Sequence, residues 1–280
     1  MSEPNHWRRM TVIWLASSLV LTPIVVFVLA PGLPPGDGSV QAGGQVTDNT
    51  VLLGISTPVA LAVLVFFMYA LVAFRERQPD TVLEGPPVRG DARIQLSWVL
   101  VTGAIVLFLA GYGTVRMLAD GAGGGQGPNP IAKPDPPANA KPLQVQVIGQ
   151  QWQWTYRFPG YGGVETAHLE LPADRTIEFH VTSVDVIHSF WAYQLGVKAD
   201  ANPGIDNIAY AQTKHPMNVD IHCAELCGVF HGYMSDHAQV VPASEFTSWI
   251  AQEQKFYKPV SGSLPPYAKA YFPDPQRRGG

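Results

Sequence analysis

The stretch HCAELCGVFHGYM, residues 222–234, gathers both cysteines of the chain, two of its eight histidines and one of its six methionines into thirteen positions. Such a set must be held by something rigid. The flanking runs MNVDIHC (217–223) and HAQVVP (237–242) alternate or are β-rich, so the stretch reads as a loop joining two strands. Three further runs, LQVQVIGQQWQWTYRF (143–158), RTIEFHVTS (175–183) and NIAYAQT (207–213), show the same alternation between Gly, Pro, Asp and Asn turns. Together they predict a small antiparallel sandwich or barrel of roughly 100 residues. A helix is expected to follow over SEFTSWIAQEQKF (244–256), with Ser244 as its N-cap.

Outward from this domain the composition changes twice. Residues 258–280 are Pro-rich and basic, which predicts an irregular tail. Residues 119–142 are mostly Gly, Pro, Ala and Asn, a mixture that cannot bury a core and reads as a linker. The expected boundaries are therefore a domain over 143–257, the linker before it and the tail after it. N-terminal to the linker lie three apolar runs, VIWLASSLVLTPIVVFVLA (12–30), VLLGISTPVALAVLVFFMYALVAF (51–74) and LSWVLVTGAIVLFLAGYGTV (96–115). Each is uncharged and close to the roughly 20 residues that cross a bilayer as a helix. Residues 51–118 thus predict a transmembrane hairpin, and residues 1–31 a further transmembrane helix or a signal segment. Pro31 directly after the small-residue site Val28-Leu29-Ala30, and the length of the run, favour a retained helix.

Charge is sparse: 14% of residues are Asp, Glu, Lys or Arg, against about 25% in ordinary soluble domains. A net charge of -4 gives no nucleic-acid signature. Arg8 and Arg9 precede the first run, residues 31–50 hold no Lys or Arg, and Arg75, Arg77, Arg89 and Arg93 fall between runs two and three. The positive-inside rule then puts the N-terminus and the 75–95 loop in the cytoplasm and the β-domain outside a bacterial-type cell membrane.

Outside the cell a disulfide between Cys223 and Cys227 is the plain expectation. It explains neither His231 nor Met234. Zinc would accept two Cys and two His but has little use for a thioether. Thiolate, thioether and imidazole together form a copper set, and a mononuclear blue-copper site needs only one Cys. Two thiolates that both bridge a copper pair would use the second, provided another imidazole comes from elsewhere; His188 in DVIHSFW (185–191), at the end of an alternating strand, is the candidate. Disulfide, zinc, mononuclear copper and binuclear copper all remain open on these residues alone.

C-A-E-L-C-x3-H-x2-M, with an upstream D-V-I-H-S and the aromatic run Q-W-Q-W-T-Y, resembles subunit II of the haem-copper cytochrome c oxidases over roughly residues 51–257. The resemblance implies a cupredoxin-like Greek-key domain after the hairpin, with a binuclear copper A centre bridged by Cys223 and Cys227. It implies that His188 and Met234 complete one copper, and His231 and the backbone carbonyl of Glu225 the other. By the same match the Glu225 side chain helps bind magnesium at the interface with subunit I, Trp152 is where electrons from cytochrome c enter, and Asp185 and Asp200 lie near the copper and the subunit interface. The implied role is that of the non-catalytic electron-transfer subunit of a proton-pumping cytochrome c oxidase. Its partners would be the haem-bearing subunit I, other oxidase subunits, membrane lipid, and cytochrome c or a membrane-bound cytochrome donor. A copper A subunit of a nitric oxide reductase and a membrane-anchored copper-binding or chaperone protein are the alternatives.

The sequence departs from that family at two places. Gln95, before Trp98, stands where the family usually has a Glu at the mouth of a proton path, and Gln cannot titrate. Arg157 follows the aromatic run where an acidic residue often helps dock a basic cytochrome, so weaker acidic attraction is expected here.

Overall fold

The computed structural model describes residues 5–75, 90–119 and 141–263, with side chains to residue 258. The linker over 120–140, Arg77, Arg89 and the tail beyond residue 263 lie outside the described residues. The chain divides into two units, Met1–Leu33 with Thr47–Val115, and Pro34–Val46 with Arg116–Gly280.

The first unit is helical. Among the described residues, three helices are long and apolar enough to cross a membrane. α1 (His6–Ile24) starts at Asn5, whose side chain accepts from the Arg8 N–H, and a wider turn over Val25–Leu29 follows Pro23. Such a turn suits a proline that removes one backbone donor. α2 (Val40–Ala73) begins before its apolar run, because the Gly, Gln and Thr residues from 40 to 50 continue the helix. α3 (Ala92–Ala119) is opened by Asp91, whose carboxylate accepts from the N–H of Arg93 at 2.8 Å. α1 and α2 are tied by polar contacts that an apolar solvent would strengthen: Trp14 Nε1–H donates to the Pro58 carbonyl at 2.8 Å, and His6 Nδ1 meets the Tyr69 hydroxyl at 2.8 Å. Tyr112 of α3 donates to Asp48 of α2 at 3.1 Å.

The second unit is a two-sheet sandwich. β1 (Leu143–Gln150), β2 (Gln153–Phe158), β3 (Val164–Thr166), β5 (Thr176–Ser183) and β8 (Asn207–Gln212) form one sheet in the order β3-β2-β1-β5-β8. β4 (Glu170–Pro172), β6 (His188–Ala192), β7 (Val197–Ala201), β9 (Met217–Cys223) and β10 (Ser235–Val241) form the other, in the order β4-β10-β9-β6-β7. The sandwich is mixed rather than purely antiparallel, since β1–β5 and β4–β10 pair in parallel. The physical reason is length: the chain between residues 150 and 176 is long enough for a crossover, as parallel neighbours require.

Alternation along the strands builds the core. Val145 and Val147 of β1, Trp154, Tyr156 and Phe158 of β2, and Ile177, Phe179 and Val181 of β5 all turn inward and meet Phe190, Val219 and Ile221 from the other sheet. Each large side chain so buried contributes roughly 1.5–3 kcal/mol. The single 143–158 run divides because Gln151 and Trp152 form the turn of a hairpin. α4 (Ala243–Ser263) closes one edge with Phe246 and Ile250, and Phe158 packs edge-on against Trp249 at 5.6 Å. Ser244 is not its N-cap; it lies inside the first turn, where the Pro242 carbonyl accepts from Glu245 and Phe246. The helix also runs past residue 257, so residues 258–263 of the expected irregular tail are helical. Pro34–Val46 belongs to this unit by contact: Ser39 Oγ donates to the Leu195 carbonyl at 2.6 Å, and Gln41 Oε1 accepts from the Gln212 N–H at 2.8 Å.

Candidate metal centre

The end of the sandwich where β6 begins, β9 ends and β10 begins collects the soft donors. Cys223 closes β9, residues 224–234 loop outward, and Ser235 opens β10. The loop is pinned at both ends. Cys223 N–H donates to the Met234 carbonyl at 3.0 Å, and Ala224 N–H to the Ser189 carbonyl at 2.8 Å. His188 is the first residue of β6, not the last of a strand, because residues 184–187 bend around the Asp185 carboxylate. Asp185 accepts from the Val186 N–H at 2.6 Å and from Ser183 Oγ at 3.2 Å, a local turn that competes with strand pairing.

The donors converge closely. The two sulfurs are 3.7 Å apart as free thiols, and His188, Cys223 and Cys227 offer ligand atoms within 4.8 Å of one another. Sγ of Cys223 is 3.8 Å from Nδ1 of His188 and 3.2 Å from the Glu225 carbonyl oxygen. Sγ of Cys227 is 3.5 Å from Nδ1 of His231 and 3.9 Å from Sδ of Met234. Burial, with the neighbouring Cys223 thiol, pushes Cys227 up to about 12. A cation is what would displace protons from such a dithiol. The set of two thiols, two imidazoles, a thioether and a carbonyl fits a thiophilic metal ion.

Several residues orient these donors. His188 is wholly buried, and its Nε2 lies 2.9 Å from Asp185 Oδ1; an ionised carboxylate only accepts, so the proton sits on Nε2 and Nδ1 is left to bind. Burial would raise Asp185, but the Gln151 backbone N–H at 2.7 Å and the His188 ring outweigh it and hold this carboxyl below its ordinary value. Gly149 on β1 supplies the space for His188, since a Cβ there would lie 2.9 Å from the imidazole Cδ2. The β1–β2 turn closes over the loop: Gln151 Nε2–H donates to the Cys227 carbonyl at 2.8 Å, and Trp152 Nε1–H to the same oxygen at 3.1 Å.

The structure thus brings together His188, Cys223, the Glu225 carbonyl, Cys227, His231 and Met234, with Trp152 and Asp185 against them. Asp200 lies one step removed from the donors: it accepts from Ser189 Oγ at 2.8 Å, one residue along from His188. The Glu225 side chain is exposed. Gln151 and Gly149 were missed by sequence reasoning. A glycine inside an otherwise β-rich run is a recognised sign of close approach, whereas nothing in the sequence singles out Gln151. Arg157 is not a free charge, because it forms an ion pair with Glu165 and donates to Gln146 at 3.2 Å.

Fold and site together define a cupredoxin-like sandwich with a candidate soft-metal site at one end, preceded in the chain by helices long and apolar enough to cross a membrane. Residues 164–241 match the family model for the periplasmic domain of cytochrome c oxidase subunit II. Among relatives, cytochrome c oxidase subunit 2 of Synechocystis sp. is 27% identical over 252 residues, covering 79% of this chain and 75% of the relative. The subunit 2 of Thermostichus vulcanus is 27% identical over 284 residues, covering 86% and 85%. Among solved structures, the periplasmic domain of cytochrome oxidase subunit II from Bradyrhizobium japonicum is 30% identical, covers 42% of this chain and 98% of that one, and superposes with a TM-score of 0.41. The chain belongs to the cytochrome c oxidase subunit II family of the haem-copper oxidases.

Proposed function

We propose that this chain is the electron-receiving subunit of a respiratory oxidase, taking electrons from cytochrome c or a membrane-bound cytochrome and passing them to haem in subunit I. The observation that carries the reading is the convergence of six soft or carbonyl donors, each within 3.9 Å of a cysteine sulfur, at one buried end of a rigid sandwich. Cys223 and Cys227 would bridge a copper pair, His188 and Met234 would complete one ion, and His231 and the Glu225 carbonyl the other. A thiolate-bridged copper pair supplies reversible one-electron transfer with little change in geometry.

The protein's share is orientation. Asp185 fixes the tautomer and plane of His188, and the pinned loop ends fix Cys223 and Met234 relative to one another. Electrons would come in at Trp152, whose indole N–H already touches the carbonyl of a bridging cysteine. Trp154 lies on the same run but is 2% exposed, with its ring against His188 at 6.0 Å, so no donor can reach it from outside. The loop whose Phe230 packs against Trp152 also exposes the apolar Leu226, Val229 and Tyr233. With Arg157 already paired, docking here would depend on apolar contact more than on charge. The exposed Glu225 side chain would be free to meet magnesium at the interface with subunit I, and the copper domain would lie on the periplasmic side of the cell membrane.

The test is metal analysis and electron paramagnetic resonance of the purified full chain with its haem-bearing partner. Two coppers per chain sharing one unpaired electron, reduced by a cytochrome faster than the haem, are expected. One zinc per chain, or copper that never accepts electrons from a cytochrome, would overturn the reading.

A further inference from the structure

We infer that Phe230 is a positioning residue for electron input, holding the Trp152 indole against the Cys227 carbonyl; the inference rests on the electron-transfer reading above. Phe230 precedes His231 in the donor loop, and its ring meets that of Trp152 at a centroid distance of 4.9 Å and an interplanar angle of 83°. That is the edge-to-face geometry in which one ring's positive edge meets the other's negative face.

Two more contacts complete a slot for the indole. Gly228 has a φ of 120°, and a Cβ built on it would lie 3.1 Å from Trp152 Cζ2 and 3.3 Å from Nε1. The indole therefore rests on loop backbone that a side chain would push away. Its Nε1–H donates to the Cys227 carbonyl at 3.1 Å, while the Gln151 amide occupies the same oxygen at 2.8 Å. Backbone below, carbonyl at the N–H and the Phe230 ring at its side leave the half-buried indole one pose. Trp152 sits on a turn rather than in a strand, so the sheet ladder does not hold it, and Phe230 is the one of these contacts supplied by a removable aromatic side chain.

The route from the indole to the thiolate runs through that hydrogen bond and the Cys227 backbone to Sγ. A tryptophan that leaves the pose loses the hydrogen bond and lengthens the route. Phe230→Leu keeps an apolar side chain but removes the ring edge, and should slow copper reduction by the donor roughly two- to tenfold, the range that one edge-to-face contact allows. Phe230→Tyr, which keeps the edge, should restore the rate. Copper resonance and the copper-to-haem rate should stay as in the unmodified complex, because His231 and both thiolates are untouched.

A readout independent of copper uses the full copper-free chain labelled with 15N-tryptophan. The Trp152 indole N–H signal, assigned by its loss in Trp152→Phe, should move and exchange faster with solvent in Phe230→Leu. Rapid-mixing kinetics of the complex then separate the claims. If Trp152→Phe itself fails to slow copper reduction, the electron-input reading falls and this inference with it. Should Trp152→Phe slow the step while Phe230→Leu changes neither the rate nor the indole signal, only the positioning role is refuted. Equal slowing by Phe230→Leu in the Trp152→Phe background, or an altered copper resonance, would show that Phe230 acts through the ligand loop instead, and would also overturn it.

Discussion

Replacing Gly149 by alanine should damage the metal centre more than it damages the fold. The new Cβ would stand 2.9 Å from His188 Cδ2 and 3.1 Å from Trp154 Cζ3. Carbon atoms rest about 3.5–4.0 Å apart, so the imidazole would have to retreat by roughly 0.6 Å. It has little freedom to do so, being wholly buried and tied to Asp185 through Nε2. Overpacking of this kind costs about 1–3 kcal/mol. Loss of glycine's unfolded-state freedom returns about 0.4–1 kcal/mol, which leaves a net loss of at most about 2.5 kcal/mol and a chain that still folds. Ligand distances, in contrast, tolerate only about 0.2 Å, so a retreat near three times that removes Nδ1 from bonding range. Gly149→Ala should therefore unfold at slightly lower denaturant by tryptophan fluorescence, while binding less copper and giving a resonance in which the two ions are no longer equivalent. A variant that takes up two coppers with the unaltered resonance would refute the reasoning, because it would mean that His188 is not a ligand or is not confined.

Three other outcomes are expected. Cys223→Ser or Cys227→Ser should abolish the shared-electron signal, because one thiolate cannot bridge two ions, whereas Met234→Leu should keep copper and alter its potential, since a weak axial thioether tunes more than it holds; potentiometric titration of each variant reads both. Burial alone would lower His180, but its hydrogen bonds to Asp206 at 2.8 Å and to Glu178, and their charges, raise it from 6.5 to about 8. That stabilisation, about 2 kcal/mol, is complete below about pH 6.5 and is lost as pH rises through about 8, so denaturation of the chain between pH 6 and 9 should show a fall that His180→Gln lacks; matching slopes would remove the role. The hydrogen bonds of Trp14 and His6 to α2 lead us to expect that α1 is retained as a membrane helix, so N-terminal sequencing of a mature chain that begins after Ala30 would contradict this; the arginine bias separately puts residues 75–95 inside the cell, and a labelling map placing them outside would overturn that topology.

Helices long and apolar enough to cross a membrane, the position of the β-domain in the chain and four of the six converging donors were legible from side-chain type and spacing. Apolar runs near 20 residues have few other uses, and two cysteines, a histidine and a methionine within twelve positions make a soft-metal set however the chain bends around them. His188, 35 residues before Cys223, could be named from the residues only as a candidate second imidazole, and the Glu225 carbonyl came only with the resemblance. Short elements were harder to read: β3 and β4 are three residues each, too brief for alternation to register.

What could not be read locally depends on which side chains meet across the two sheets. Trp152 and Trp154 are two apart and look equivalent by strand parity, yet one lies in a turn and the other in the core. The turn takes in Trp152 and leaves Trp154 in the strand because Gln150 pairs with Gln153 in the hairpin, and no periodicity specifies where a strand reverses. Arg157 looked like a free positive charge until pairing of β2 with β3 set Glu165 opposite it. Gln151, Gly149, Gly228 and Phe230 acquire their roles only when the β1–β2 turn of one sheet closes over the β9–β10 loop of the other. Donor chemistry is a property of residue type and so survives in one dimension. Orientation, exposure and the partner of each charge are properties of pairs brought together by packing, and they exist only once the chain has folded.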